Sequence, residues 1–181
     1  STLNKQYTTF YYKYLLTINT LIMIIVLLGT FPTAFKRPLI EIEKLCKKGL
    51  ITEEVIVQSG HTQFDSEYLK MRPFISPDEL TELYKQARVV ITQAGTGSLI
   101  KGMKLNKKII AIPRLAKYGE VVDDHQEEIL HEFTKQNYIL PWTEDIALEE
   151  VLSKIDDFKP SPYVSTKQNI IDHLEGYINS L

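Results

Sequence analysis

Cysteine is almost missing from this sequence, which excludes several kinds of stabilised or metal-bound protein. Among its 181 residues the chain has a single cysteine, Cys46. One cysteine cannot form an internal disulfide, and no group of cysteines and histidines has the spacing of a metal site. We therefore expect a reducing, cytoplasmic setting for this chain.

An excess of charge of either sign is missing as well. The chain carries 21 basic and 23 acidic residues, for a net charge of -2. Such a balance creates no field that would recruit nucleic acid. With 44% hydrophobic and 24% charged residues, the composition is that of an ordinary folded domain with one core.

The sequence has no apolar run of clear membrane-spanning length. Residues 14–28, YLLTINTLIMIIVLL, are strongly apolar but include Thr17, Asn19 and Thr20. A spanning helix needs about 20 apolar residues, so it is the less favoured interpretation. A secretory signal is not favoured either, because residues 29–32, GTFP, are typical of a turn rather than a cleavage site.

Apolar strands and amphipathic helices alternate along the rest of the chain. This alternation predicts an α/β fold, a Rossmann-like and mostly parallel sheet with helices on both faces. Residues 1–22 are an N-terminal leader of uncertain structure, and residues 23–181 form the folded domain. Strands are predicted at Ile22–Leu28, Glu54–Gln58, near Ile75, Val89–Thr92, Ile109–Ile112 and Tyr138–Leu140. Helices are predicted at Pro38–Lys47, Ser76–Arg88, between the fourth and fifth strands, and at Asp124–Gln136, Ile146–Ile155 and Ser165–Ser180.

A glycine turn, Gly95–Ser98, lies where the fourth strand passes into a helix. Unpaired amides and the helix dipole attract anions there, and the two glycines let a phosphate approach the backbone. The turn could therefore hold a diphosphate. It has neither the spacing of a P-loop nor that of a dinucleotide fingerprint, and a tight turn with Ser98 as a helix cap is the structural alternative.

A second polar motif, DDHQ, follows the next strand. In a parallel sheet its loop emerges on the same edge as the glycine turn, where ligands of open α/β sheets bind. Asp124, His125 and Gln126 in the first helical turn could read sugar hydroxyls, which need donors and acceptors. The alternative is a capping box with Asp123 as N-cap and Gln126 three residues later. The two motifs together favour a binding site.

The stretch ITQAGTGSLIKGMKLNKKIIAIPRLAKYGEVVDDHQEEI, residues 91–129, resembles the C-terminal domain of glycosyltransferase family 28. It is most similar to the short single-domain members of bacterial exopolysaccharide and capsule synthesis. Those in turn are similar to the catalytic-side subunit of the eukaryotic dolichol-linked N-acetylglucosaminyltransferase. Residues 23–45 resemble the first strand, Gly-Thr turn and first helix of that group, so the resemblance covers roughly residues 23–155.

This resemblance implies a GT-B fold split into two polypeptides, with residues 23–181 as the half that binds the donor nucleotide sugar. A membrane-attached subunit would supply the acceptor half, which would keep this chain in the cytoplasm at the inner face of the plasma membrane. The implied reaction moves a hexose, galactose or N-acetylglucosamine, from UDP to a lipid-diphosphate-linked saccharide with inversion. The helix N-terminus would stabilise the leaving diphosphate, so no metal or other cofactor is expected. An exposed cleft could make the isolated chain self-associate.

The resemblance also implies a role for individual residues. The diphosphate would be held by the glycine turn, the donor sugar by the DDHQ motif, and the cleft facing the partner would be lined by the first Gly-Thr turn. In that order, the residues are Gly95, Thr96, Gly97 and Ser98; His125 and Gln126, with Asp124 beside them; and Gly29 and Thr30.

The chain departs from the family pattern at four of its positions. Gln93 replaces a usual histidine, and Lys101 replaces a glutamate that commonly grips the ribose. Both positions remain predicted donor-site residues, with Lys101 either a counter-charge near a phosphate or, as we favour, solvated on its helix. Asn106 and Lys108 stand where the family has Gly and Pro.

The general base is the least determined part of the mechanism. His61 and His125 are candidates, but we expect the partner subunit to supply the base. Two other functions remain open: a non-catalytic module that stimulates a complete partner enzyme, and an unrelated nucleotide-binding α/β protein. Binding of UDP would argue against both.

Overall fold

Six parallel strands form the centre of the molecule in the computed structural model, which describes residues 23–165. Their order across the sheet is β3-β2-β1-β4-β5-β6, and every neighbouring pair is parallel. The strands are β1 Met23–Leu27, β2 Glu54–Gln58, β3 Leu69–Arg72, β4 Ala87–Gln93, β5 Lys108–Ile112 and β6 Leu140–Pro141.

Helices connect the successive strands except β2 and β3, which a loop joins. They are α1 Arg37–Lys47, α2 Pro77–Gln86, α3 Thr96–Lys104, α4 His125–Lys135 and α5 Leu148–Ile155, with a short 3-10 helix at Ala116–Tyr118. Local signals define several starts: Pro77 opens α2, and the Ser76 hydroxyl accepts a hydrogen bond from the Glu79 amide at 3.3 Å.

The two faces of the sheet pack against different helices. Leu39 of α1 and Val151 of α5 belong to one buried cluster with Ile24 of the central strand. Tyr84, Leu99 and Leu130, from α2, α3 and α4, belong to the opposite cluster. Because β1 and the middle of β4 are buried on both faces, β1 is wholly apolar and β4 contains the apolar run Val89–Ile91, as expected of central parallel strands.

Most predicted elements are confirmed, and the differences lie at the sheet edges. The strand Glu54–Gln58 has the predicted bounds, and the other central strands differ from theirs by at most two residues at either end. The strand predicted near Ile75 is wrong, because Ile75 lies in a loop where its amide donates to Gln58 Oε1 at 3.0 Å. The third strand is instead Leu69–Arg72, and the sixth begins at Leu140 rather than at Tyr138.

Two predictions fall wholly or partly outside the described part of the chain. The leader 1–22 and the first residue of the predicted strand Ile22–Leu28 lie before it. The predicted helix Ser165–Ser180 lies beyond it, except for its first residue.

Candidate functional site

The candidate site lies at the carboxyl edge, which we define as the edge of the sheet where the strands end. The chain leaves β1 towards β2 and β3, but it leaves the neighbouring β4 towards β5 and β6. The loops after these two strands therefore diverge and open a crevice between them, the usual ligand position in doubly wound sheets. The Gly29 turn follows β1, and the glycine turn follows β4.

The glycine turn places the start of α3 at this crevice. Gly95 is the N-cap residue in an extended conformation, and no side chain caps the helix, so Ser98 is not the cap. Thr96 and Gly97 are exposed. A Cβ added at Gly97 would meet no atom of residues 23–165 within 4 Å. The first helical amides therefore face open space, where an anion could approach them.

Two glycines, Gly29 and Gly95, lie against the side chain of Gln93 where the loops meet, and a third, Gly60, packs against Gly29. Gly29 has φ +77°, and a Cβ there would lie 1.8 Å from Gln93 Nε2. The corresponding distance from Gly95 is 3.0 Å. Gly60, with φ +55°, approaches the Gly29 carbonyl so closely that a Cβ would lie 2.3 Å from its oxygen. Gln93 thus fills the gap between the two predicted ligand-binding turns.

Arg114, which the sequence analysis did not identify, lies beneath this arrangement and is only 1% exposed. Its Nε donates to Gln93 Oε1 at 2.8 Å, and its Nη2 donates to the Leu28 carbonyl at 2.8 Å. Its Nη1 donates to the Thr33 carbonyl at 3.1 Å and the Glu120 carbonyl at 2.9 Å. One buried guanidinium therefore joins the ends of β1, β4 and β5.

Arg114 is satisfied mainly by neutral oxygens and aromatic rings. Its guanidinium carbon lies 4.8 Å from the ring centroid of Phe35 and 5.8 Å from that of Phe31. Burial lowers the pKa of Arg114, and the nearby Glu120 opposes that shift. Arginine stays protonated under such conditions, so the Arg114 guanidinium is a fixed positive charge beneath the crevice.

Gln126 points into the same cluster instead of completing a capping box. Its Oε1 accepts from the Arg114 amide at 3.0 Å, and its Nε2 donates to Gln93 Oε1 at 3.3 Å. We call Arg114, Gln93 and Gln126 the amide cluster. The capping interpretation is therefore wrong, because the tertiary partner Arg114 takes the oxygen that the local pattern would leave free.

The acidic residues of DDHQ stabilise their own loop. Asp124, the N-cap residue of α4, makes no cap hydrogen bond, and its Oδ1 accepts from the Ala116 amide at 2.8 Å. Asp123 Oδ1 accepts from the His125 amide at 3.2 Å. His125 is exposed, with 67% of its side chain accessible, and its Nδ1 lies 3.1 Å from Glu128 Oε2. His125 therefore lies on the rim of the site, apart from the amide cluster.

A partly buried ion pair, Arg37–Glu120, holds the loop between β5 and α4. Glu120 accepts from Arg37 Nε at 2.9 Å and from Arg37 Nη2 at 2.8 Å, which makes the contact bidentate. Its Oε2 also accepts from the Leu115 amide at 3.0 Å. Arg37 continues to the Pro113 carbonyl at 2.8 Å. These bonds fix the loop that carries Arg114 and DDHQ.

Lys101 does not point towards the glycine turn. Its Nζ lies 3.4 Å from the Pro77 carbonyl oxygen and 5.4 Å from the ring centroid of Tyr84. The buried phenol of Tyr84 donates to the Ser98 carbonyl at 2.9 Å, and burial raises its pKa. The counter-charge alternative does not describe Lys101, whose side chain packs against α2 and whose ammonium group lies in an exposed contact.

His61 and Thr30 lie at the carboxyl edge on the other side of Gly29. The His61 ring makes an edge contact with Phe74, with centroids 5.8 Å apart, and Phe74 is 58% exposed. Thr30 is exposed in the turn after β1. Of the predicted site residues, Gln93, Gln126 and the glycines lie together, whereas Lys101, His61 and His125 surround them.

Between residues 23 and 165, no group of three or more His, Cys, Asp or Glu side chains has metal-site geometry. Over the same range, none of the helices combines the length and apolarity that crossing a bilayer would require.

Curated relatives align with more than half of this chain. The chain is 28% identical to the UDP-N-acetylglucosamine transferase subunit ALG13 of Candida albicans over 113 residues, 62% of this chain and 37% of that protein. It spans less than two thirds of the length of the curated relatives that it matches.

Solved structures share its fold. The solution structure of ALG13 superposes with a TM-score of 0.54 at 17% identity, covering 84% of this chain and 94% of that one. The glycosyltransferase SnogD from Streptomyces nogalater gives 0.52 at 17% identity, covering 75% of this chain and 35% of that one. The predicted fold class is confirmed: this is the Rossmann-like sheet of the C-terminal half of a GT-B glycosyltransferase.

The family resemblance drawn from the glycine turn and the DDHQ stretch is also confirmed. The model of the glycosyltransferase family 28 C-terminal domain matches residues 23–179, most of the chain. The chain therefore belongs to the glycosyltransferase family 28 C-terminal domain family.

Proposed function

We propose that this chain is the donor-binding half of a UDP-sugar-dependent glycosyltransferase. The observation that carries the proposal is the crevice between β1 and β4, where the open start of α3 faces the amide cluster. Family membership and the ALG13 relative, whose name describes a subunit of a UDP-N-acetylglucosamine transferase, support a sugar nucleotide as the ligand.

The glycine turn would bind the diphosphate. Its first amides, Thr96 to Ser98, lie at the positive end of the α3 dipole, which carries about half an elementary charge. When the sugar leaves, negative charge grows on the diphosphate, so these amides stabilise the transition state more than the ground state. No metal ion is required for this step.

Gln126 would contact the donor sugar, with His125 and Asp124 at the rim. A carboxamide suits hydroxyl groups because it can donate to them and accept from them. On the other side of Gly29, the exposed ring of Phe74 offers an apolar face for a planar base. The predicted ribose contact through Lys101 is weakened by its packing against Tyr84.

The acceptor and the general base would come from a separate, membrane-attached subunit. Apolar side chains at the carboxyl edge, including Tyr118 and Val122, are exposed, and Val122 has 84% of its surface accessible. Such exposure on the edge that carries the site is expected where another protein covers it. The reaction would transfer a hexose, galactose or N-acetylglucosamine, with inversion to a lipid-diphosphate-linked saccharide in polysaccharide synthesis, at the cytoplasmic face of the plasma membrane.

Calorimetry of the purified chain with UDP, UDP-galactose and UDP-N-acetylglucosamine tests the donor site. Gly97→Val is the informative variant, because its side chain enters open space and would block a bound phosphate without straining the fold. We expect the heat of UDP binding to disappear in this variant. Ser153→Val, on an exposed position of α5, is the control and should bind UDP as the unmodified chain does.

Two results would contradict the proposal. Equal UDP heats for the unmodified chain and Gly97→Val would remove the glycine turn from the site. Binding of a non-uridine nucleotide without any UDP binding would favour an unrelated nucleotide-binding protein.

A further inference from the structure

The hydrogen bonds of the amide cluster have a fixed direction. A guanidinium has only donors, so the atom of Gln93 that lies 2.8 Å from Arg114 Nε must be the oxygen. The backbone amide of Arg114 is also a donor, so the Gln126 atom 3.0 Å away must be its oxygen too. An amide flip of either glutamine would place two donors against each other, and Arg114 excludes both flips.

The fixed orientation of the Gln93 and Gln126 carboxamides determines which of their atoms can still bond to a ligand. Gln93 Oε1 accepts from Arg114 Nε and from Gln126 Nε2, which occupies both of its lone pairs. Gln93 Nε2 lies between Gly29 and Gly95, and none of residues 23–165 accepts a hydrogen bond from it. Gln126 Nε2 keeps one hydrogen beyond its bond to Gln93. Gln126 Oε1 accepts only from the Arg114 amide and keeps one lone pair. The unused groups of Gln93 are therefore N–H donors alone, and Gln126 also presents one N–H donor.

We propose that Arg114 is a positioning residue that orients Gln93 and Gln126 so that each presents an N–H donor to the ligand of the crevice. Gln93 Nε2 would then join the amides of the glycine turn on a diphosphate oxygen, and Gln126 Nε2 would donate to a sugar hydroxyl oxygen. This inference rests on the proposed function, since it takes the crevice as the nucleotide-sugar site.

The geometry explains why this position requires arginine and not simply a cation. Arg114 uses Nε for Gln93 and its two terminal nitrogens for Leu28, Thr33 and Glu120. A lysine ammonium is a single point and has no donor at the place of Nε. Lysine would thus keep the positive charge but release Gln93 from its fixed orientation.

The test compares UDP and UDP-sugar affinities of Arg114→Lys and Arg114→Met by calorimetry, at a temperature where circular dichroism shows each variant folded. We expect both variants to lose about tenfold in UDP-sugar affinity, the scale of one lost hydrogen bond, and to lose preference for UDP-sugar over UDP. A purely structural role would lower the melting temperature but leave that preference intact in the folded protein. Normal selectivity in Arg114→Lys would overturn the proposal.

Gln93→Glu provides a second variant if the Arg114 variants do not fold. A carboxylate at this position pairs with the buried guanidinium, so the fold should be retained, but an oxygen replaces the outward N–H donors. We expect UDP affinity to fall at least about tenfold. Gln136→Glu, the same change at the exposed end of α4, should bind UDP normally.

A spectroscopic readout separates the orientation of Gln93 from the added charge. The side-chain amide signals of Gln93 should shift when UDP is added to the unmodified chain, and unchanged signals would overturn the donor role. Unaltered UDP binding in Gln93→Glu would overturn it too. Failure of the unmodified chain to bind UDP at all would instead overturn the proposed function, and this inference with it.

Discussion

Gly29 illustrates how crowding at one residue shapes the site. Its φ of +77° favours glycine, and the amide of Gln93 occupies the space where a side chain would begin. The resemblance to the family was the only basis for the prediction that Gly29 lines the cleft. The physical requirement comes from Gln93, which is 64 positions away in the sequence and therefore outside any local pattern.

The first prediction concerns alanine at two glycines of the site. Gly29→Ala should lower the free energy of unfolding by about 1–3 kcal/mol, because the backbone becomes strained and Gln93 must move. Gly97→Ala is the matched control: its Cβ meets open space, so it should leave stability unchanged or raise it by up to about 1 kcal/mol. Urea denaturation measures both, and equal stabilities would contradict the crowding argument.

Arg114 was missed at the residue scale for a related reason. Nothing in the stretch IPRLA distinguishes a buried arginine from a solvated one, since a charge at the end of a strand is usually exposed. Its burial depends on the Leu28 and Thr33 carbonyls, in the connection after β1, and on the Gln93 side chain at the end of β4. Only a contact map of the loops could have identified it.

Among whole elements, sequence patterns predicted the central strands well and the edge strands poorly. Val89, Val90 and Ile91 of β4 are fully buried, so they form a continuous apolar run that local reading detects. β3, with the sequence LKMR, pairs only with β2, and Leu69 is its one buried residue. An edge strand with polar outward residues lacks the run of apolar residues by which a strand is predicted from sequence. The nearby apolar residue Ile75 was taken for that strand instead.

Helix starts show the same limit of local reading. The pattern at Asp123 and Gln126 satisfies the spacing of a capping box, yet Gln126 bonds to Arg114 instead. The Arg114 backbone amide, a tertiary partner, donates to Gln126 in place of the backbone amide at the helix start. Gln126 therefore lies in the candidate site. The Ser76 start of α2, which has no such competitor, formed as predicted.

The second prediction concerns the loop between β5 and α4. Glu120→Gln removes the bidentate ion pair with Arg37 and leaves a partly buried guanidinium without a counter-charge, so stability should fall by about 1–3 kcal/mol. Glu150→Gln, which disrupts the exposed pair with Lys154, is the control and should cost about 0.5 kcal/mol or less. Thermal denaturation of both variants measures the difference. Equal melting temperatures would mean that this loop does not depend on Glu120.

For the molecule as a whole, the ligand site and the exposed apolar side chains share one edge of the sheet. Phe74 follows β3, and Tyr118 and Val122 follow β5, so all three flank the crevice between β1 and β4. The crevice presents N–H donors that suit the proposed nucleotide sugar, but the candidate bases His61 and His125 lie outside the amide cluster. We therefore expect donor binding without sugar transfer until an acceptor-side subunit is added.

The last prediction separates donor binding from assembly. Val122→Asp places a charge at the carboxyl edge, on a side chain that makes almost no contact within the chain, so folding and UDP affinity should be unchanged. Its complex with the acceptor-side subunit should weaken about tenfold or more, because a desolvated carboxylate would face an apolar partner surface. Val164→Asp, the same change at a valine that is half-exposed, should assemble normally. Sugar transfer by the reconstituted pair, measured with saturating UDP-sugar and increasing subunit concentration, should recover for Val122→Asp only at high concentration. Full transfer at low concentration would mean that the partner leaves Val122 uncovered and approaches the crevice from another side.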